Sequence, residues 1–140
     1  MKIGFTGTKR GMTNKQKEVV CKLLDGCSEF HHGSCIGADE QSGNIASMMR
    51  IRIILHPPIN TAFKAKCYAD EVRVAKSYLV RDKDIVDETV LLIATPKGFC
   101  EELRSGTWST VRYARKQKKS IIIIWPDGNI REENKNDLLW

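Results

Sequence analysis

The sequence predicts a single α/β domain of Rossmann-like, three-layer architecture, built on a parallel sheet with strand order 3-2-1-4-5. Three observations carry that prediction. Short apolar or β-branched runs alternate with helical patterns along the 140 residues. Residues 90–94 are apolar throughout, as a parallel strand covered on both faces requires. Parallel neighbours also need crossover connections, and these are right-handed. A chain of this length can bury a full core without staples. Its 41% hydrophobic and 29% charged residues exclude collagen-like, mucin-like and disordered classes.

The elements follow in order. Residues 2–6 (KIGFT) read as a short strand running into the glycine-rich turn Gly7-Thr8-Lys9-Arg10-Gly11. Thr13 and Gln16 form a capping box, Val19, Val20, Leu23 and Leu24 recur at helical spacing, and Gly26 stops the helix. Residues 28–32 are a second strand, followed by Gly33-Ser34-Cys35-Ile36-Gly37-Ala38-Asp39. Asp39 is expected to cap a helix whose buried stripe is Ile45, Met48 and Met49, with Gly43 permitting close packing on the sheet. The RIIL run at 52–55 is a strand that halts at His56-Pro57-Pro58. Residues 59–76 show little periodicity and read as a long loop with one helical turn. Residues 78–86 are helical with Leu79, Val86 and Ile85 inward; then come the strand 90–94, a loop, the helix 106–118 and the strand 121–125. Residues 1–128 are expected to form the domain. Residues 129–140 are expected to be a tail that packs on it or on a partner subunit, because Trp125 and the ending Leu138-Leu139-Trp140 need cover.

Composition bounds the setting. No apolar run approaches the roughly 20 residues of a membrane span, and MKIGFTGTKR has no secretory signature. Cys21, Cys27, Cys35, Cys67 and Cys100 are odd in number and contain no C-x-x-C pair, so neither a disulfide framework nor a zinc site fits. A reducing, cytoplasmic location is expected. Twenty-three Lys and Arg against 17 Asp and Glu leave +6, concentrated in Arg112, Arg115, Lys116, Lys118 and Lys119. That stripe reads as a solvated helix face or as a nucleic-acid contact.

In a parallel sheet the loops leaving the C-terminal strand ends share one edge, where ligands bind. Here they hold Gly7, Thr8, Lys9 and Arg10; His32, Gly33, Cys35, Gly37, Ala38 and Asp39; His56 and Pro57; and Pro96, Arg104, Ser105, Gly106, Thr107 and Trp108. A helix beginning at Gly106 presents unpaired amides and a dipole's positive end to a phosphate. Asp39 can accept from ligand hydroxyls, and the histidines can hydrogen-bond a base or ribose. Arg81 and Asp84 share a helix face, where Arg81 can reach a phosphate bidentately or form a solvated pair. Glu101 and Glu102 could bind ribose hydroxyls or act as acid or base. The His, Cys and Asp spacing matches no ligand pattern, so neither a metal nor a cofactor is expected.

Taken together, these segments resemble the SLOG superfamily, the Rossmann-like group joining DprA/Smf cores and LOG phosphoribohydrolases, and in particular its small stand-alone bacterial and phage members. The resemblance runs from residue 2 to about 128, through Gly4-Phe5-Thr6-Gly7-Thr8, the segment 30–39, His56-Pro57-Pro58, Tyr78-Leu79-Val80-Arg81 and the segment 101–112. It implies a nucleotide or nucleotide-derived ligand with its phosphate at Gly106-Thr107, and a homodimer or higher homo-oligomer. LOG enzymes carry Pro-Gly-Gly-x-Gly-Thr-x-x-Glu. Here an insertion separates Pro96-Lys97-Gly98 from Gly106-Thr107, and Thr110 stands where the catalytic Glu would be. Three functions follow. The first is a sensor or sequestering protein for an ADP-ribose-like or cyclic nucleotide signal. The second is an N-glycosidic hydrolase using Arg81 with Glu101 or Glu102. The third, and weakest, is single-stranded nucleic-acid binding through the stripe at 112–119, which has only Tyr113 for stacking.

Overall fold

A computed structural model describes residues 1–134. Seven strands and four helices follow one another as β1 (Lys2–Gly7), α1 (Asn14–Leu23), β2 (Glu29–His32), α2 (Ala38–Met48), β3 (Arg52–Leu55), β4 (Glu71–Val72), α3 (Tyr78–Asp87), β5 (Leu91–Thr95), α4 (Gly106–Lys116), β6 (Ser120–Ile124) and β7 (Ile130–Glu133). The sheet order is β4-β3-β2-β1-β5-β6-β7, parallel except for β7 against β6. Its five central strands lie in the order the sequence predicts. The two short edge strands are additions, and a period-2 pattern two to four residues long leaves little trace in a sequence.

Alternation along the strands builds three layers. Ile3, Phe5, Phe30, Ile53, Leu91, Ile93 and Ile122 face α1 and α2, with Val20, Leu24 and Ala46 packed over them. Leu92, Ala94, Ile121 and Ile123 face the opposite layer, where Val86, Trp108, Val111 and Ala114 cover them. Burying one such large side chain contributes roughly 1.5–3 kcal/mol. The Thr13–Gln16 capping box closes α1 as expected, and Gln16 Nε2 also donates to the Pro96 and Ile124 carbonyls across the sheet edge.

Several local expectations need correction. Gly37, not Asp39, is the cap of α2: its φ is +83°, and a Cβ there would sit 2.4 Å from the Lys9 carbonyl oxygen. Asp39 lies inside the first turn, and its Oδ2 accepts from the Cys35 amide. The fully buried stripe of α2 is Ala38, Asp39, Ser42, Gly43 and Ala46, while Ile45 and Met49 pack half-buried against the core as expected. Met48 is 87% exposed, because small residues rather than large ones let this helix lie close to the sheet. Gly43 does allow that approach; a Cβ would meet His32 Nε2 at 2.7 Å. Leu79 is 64% exposed while Arg81 takes the inward position on α3. Residues 59–76 hold β4 and one hydrogen-bonded turn, in which the Lys64 amide donates to the Thr61 carbonyl at 3.1 Å. Residues 130–133, read from sequence as polar tail, pair with β6, and Trp125 packs on Trp108 with ring centroids 5.8 Å apart. Leu138, Leu139 and Trp140 lie outside the described residues. None of the described helices is long and apolar enough to cross a membrane.

Candidate functional site

Above the C-terminal ends of β1, β2 and β5 lies a cavity of about 510 Å³. Its floor is the β1 end. The Thr8 amide donates to the Thr95 carbonyl, and the Thr8 carbonyl accepts from the Gly11 and Ala38 amides, so this loop is tied to both β5 and α2. Gly7 is required for that fit: a Cβ would lie 2.3 Å from Thr95 Oγ1 and 2.5 Å from the Ala38 Cβ.

One wall comes from α3, where Tyr78, Arg81, Asp82 and Ile85 fall on one face at helical spacing. Arg81 is buried. It donates to the Gly33 and His56 carbonyls, to Asp82 Oδ1 at 2.5 Å and to Cys35 Sγ at 3.4 Å. Burial opposes its charge, but Asp82, the Cys35 thiol and Asp39 outweigh that and hold the guanidinium protonated. Arg81 is therefore a clasp between β2, β3 and α3 that shows one edge to the cavity, not the free bidentate arm expected. Asp84 is not its partner; it pairs with Lys76 at 2.6 Å. Asp39 is pushed up to about 6 by burial, against the pull of Arg81 and the Cys35 amide. Burial likewise raises Asp82, against Arg81.

The opposite wall is the start of α4. Ser105 Oγ accepts from the Trp108 amide at 3.3 Å. The Gly106 and Thr107 amides, the first two of the helix, have no acceptor among the described residues, and nothing lies within 4 Å of where a Gly106 Cβ would be. Lys9, Arg10, Lys97 and Arg104 stand around this opening. Lys97 pairs with Glu102 at 3.5 Å, and Lys9 rests over the Phe63 ring at 4.1 Å from its centroid. The Arg10 and Arg104 side chains have no partner among the described residues.

The cavity thus brings together Gly7, Thr8, Lys9, Arg10, Gly33, Cys35, Asp39, Arg81, Glu102, Arg104, Ser105, Gly106 and Thr107. It leaves out others expected there. His32 turns to the α1–α2 side, where its Nδ1 accepts from the Ser34 amide and burial lowers its pKa to about 3. His56 faces His31 on the opposite layer. Gly37 and Ala38 are backbone supports beneath the first loop. Pro57 accepts from Lys76, and Pro96 accepts from Gln16. Trp108 belongs to the core. Glu101 points outward and binds Arg112 and Arg115, and Arg115 also binds Glu133. Two of the five cations in the basic stripe are therefore spent on internal ion pairs. Phe5, Thr6, Tyr78, Asp82, Ile85 and Lys97 line the cavity without having been anticipated. The helical spacing from Arg81 could have found Tyr78, Asp82 and Ile85.

No family model matches the chain, and comparison with curated proteins gives no significant match. Solved structures do share its fold. The molybdenum cofactor binding protein from the phototrophic bacterium Rippkaea orientalis superposes with a TM-score of 0.70 at 23% identity, covering 99% of this chain and 78% of its own. The molybdenum cofactor carrier protein from Chlamydomonas reinhardtii gives 0.63 at 18% identity over 87% of this chain and 74% of its own. The structural-genomics target TM1055 gives 0.65 at 11% identity over 86% and 71%. At these identities the likeness is one of fold: a mostly parallel, Rossmann-like α/β domain.

Proposed function

We propose that the chain binds a phosphate-bearing, nucleotide-derived small molecule in this cavity and holds it without converting it, as a sensor or sequestering protein. One observation carries the reading: two unpaired helix-start amides open onto a cavity edged by Lys9, Arg10 and Arg104. Apolar surface from Phe5, Ile85 and the Tyr78 ring offers a place for a flat ring system, and Asp39 and Asp82 offer acceptors for hydroxyls. Two neighbours in fold are described as binding or carrying the molybdenum cofactor, which supports the holding of a small molecule on this architecture. Of its two carboxylate candidates the hydrolase reading keeps Glu102, which lines the cavity together with Arg81, whereas Glu101 does not. The five free cysteines fit a reducing, cytoplasmic setting. The proposal extends to a homodimer, to be read by light scattering.

Calorimetric titration with AMP, cyclic AMP, ADP-ribose, NAD and the molybdenum cofactor, followed by mass spectrometry of the recovered ligand, tests the reading. Saturable binding of a nucleotide with the ligand recovered intact is the expected result. Absence of binding by every nucleotide, or base release that disappears in Glu102→Gln, overturns it.

A further inference from the structure

On the α3 side of the sheet, away from the cavity, the ends of β2 and β3 bring two buried imidazoles together. His31 Nδ1 and His56 Nε2 are 2.8 Å apart, and His31 Nε2 meets Glu29 Oε1 at 3.0 Å. Glu29 requires a proton on His31 Nε2, so the Nδ1 lone pair points inward at His56. Glu88, the C-cap of α3, directs Oε2 at the same pair, 3.9 Å from His56 Nδ1, while Arg73 holds its Oε1. One donor atom from each of His31, His56 and Glu88 lies within 4.8 Å of the other two.

We propose that His31, His56 and Glu88 form a binding site for a first-row divalent ion of the zinc type. Two imidazoles and a carboxylate, completed by a solvent ligand, are a donor set such ions take. The carboxylate behind His31 is the outer-shell partner that fixes a ligating ring and its tautomer. Burial keeps both imidazoles neutral and so able to donate. Bonds of about 2.0–2.1 Å in a tetrahedral site set the two nitrogens about 3.3 Å apart, so the pair must open by roughly half an ångström. On binding, the ion takes the place of the proton between the rings. His56 gives up the proton on Nε2 and carries one on Nδ1 instead, so no net proton is released. Glu88 is about one-third exposed and provides the way in from solvent. The cations around the pair are themselves engaged: Arg73, Arg52 and Lys2 with Glu29, Glu71 and Glu88, and Arg81, which donates to the His56 carbonyl, with Asp82. The spacing of 31, 56 and 88 along the chain concealed the site from a motif search.

Titration of the untagged full chain with Co²⁺, followed by visible ligand-field absorption and by the His31 and His56 ring signals in NMR, is the test. One equivalent should develop a tetrahedral-type band that Zn²⁺ displaces. Glu29→Gln should weaken binding about 10- to 100-fold. Glu88→Gln, a change at the partly exposed edge that leaves the core intact, should weaken it more. Cys21→Ser/Cys100→Ser, which removes the two exposed thiols, should leave it unchanged. Absence of a band with unmoved His31 and His56 signals, or a band that survives Glu88→Gln and His31→Gln, overturns the proposal and leaves the imidazole pair a structural hydrogen bond.

Discussion

Replacing Arg81 by methionine keeps an unbranched chain of similar reach in the wall of the cavity and removes every donor. The Gly33 and His56 carbonyls lose Arg81 Nη1, and Asp82 loses its 2.5 Å partner in a largely buried position. Each orphaned carbonyl costs about 1–3 kcal/mol. Asp82 adds to this, because its carboxylate must take up a proton or stay unpaired. A total loss of about 3–6 kcal/mol follows, a large share of the roughly 5–15 kcal/mol that holds a domain together. With a urea slope near 2 kcal/mol/M, the unfolding midpoint should fall by about 2 M. Arg81→Lys should recover part of that, since an ammonium can reach one carbonyl but cannot fork across two. A midpoint within about 0.3 M of the parent, with ligand affinity lost, would show that Arg81 is a ligand arm and not a clasp.

Gly7→Ala should cost about 2–3 kcal/mol and lower Tm by several degrees, because the new methyl meets short side chains on β5 and α2 that cannot swing away. Gly98→Ala, with open space at its Cβ, is the control and should be neutral. Asp39 titrates near 6 in the folded chain against an ordinary 3.8. The neutral carboxyl is the form the fold favours, so its stabilising contribution is complete below about pH 4 and is lost as pH rises through 6. At most about 3 kcal/mol is involved. Urea midpoints at pH 5 and 7.5 should differ more for the parent than for Asp39→Asn; equal slopes refute the assignment. Arg10→Gln and Arg104→Gln should each weaken a phosphate-bearing ligand by a few-fold, with a diminished salt dependence, and Glu101→Gln should leave binding alone.

The sequence was most informative where local chemistry and long-range order agree. The Thr13–Gln16 box, the apolar run at 90–94 and the helix start at Gly106 each carry their own signal, and the right-handed crossover rule then orders the central strands. The loops at the C-terminal strand ends follow from that order, and with them most of the cavity lining. Side-chain direction was harder to read. Strand alternation says that His31 and His56 can share a face but not that each will find a carboxylate. Helical periodicity marks Leu79 as inward, yet the inward place goes to Arg81, because two backbone carbonyls at the ends of β2 and β3 need donors. Asp39 looked like a cap, and only the positive φ of Gly37 shows which residue turns the chain. Glu101 and Glu102 are adjacent in sequence and part company in space, where Arg112 and Arg115 draw one of them outward.

On the proposed function, the amides at the start of α4 receive an anion. Backbone ¹H–¹⁵N spectra recorded during a titration with AMP measure it directly. The Gly106 and Thr107 signals should move most and saturate together with those of Lys9 and Arg10. Unmoved Gly106 and Thr107 signals at saturation, with the changes gathered along residues 112–119 instead, would contradict it.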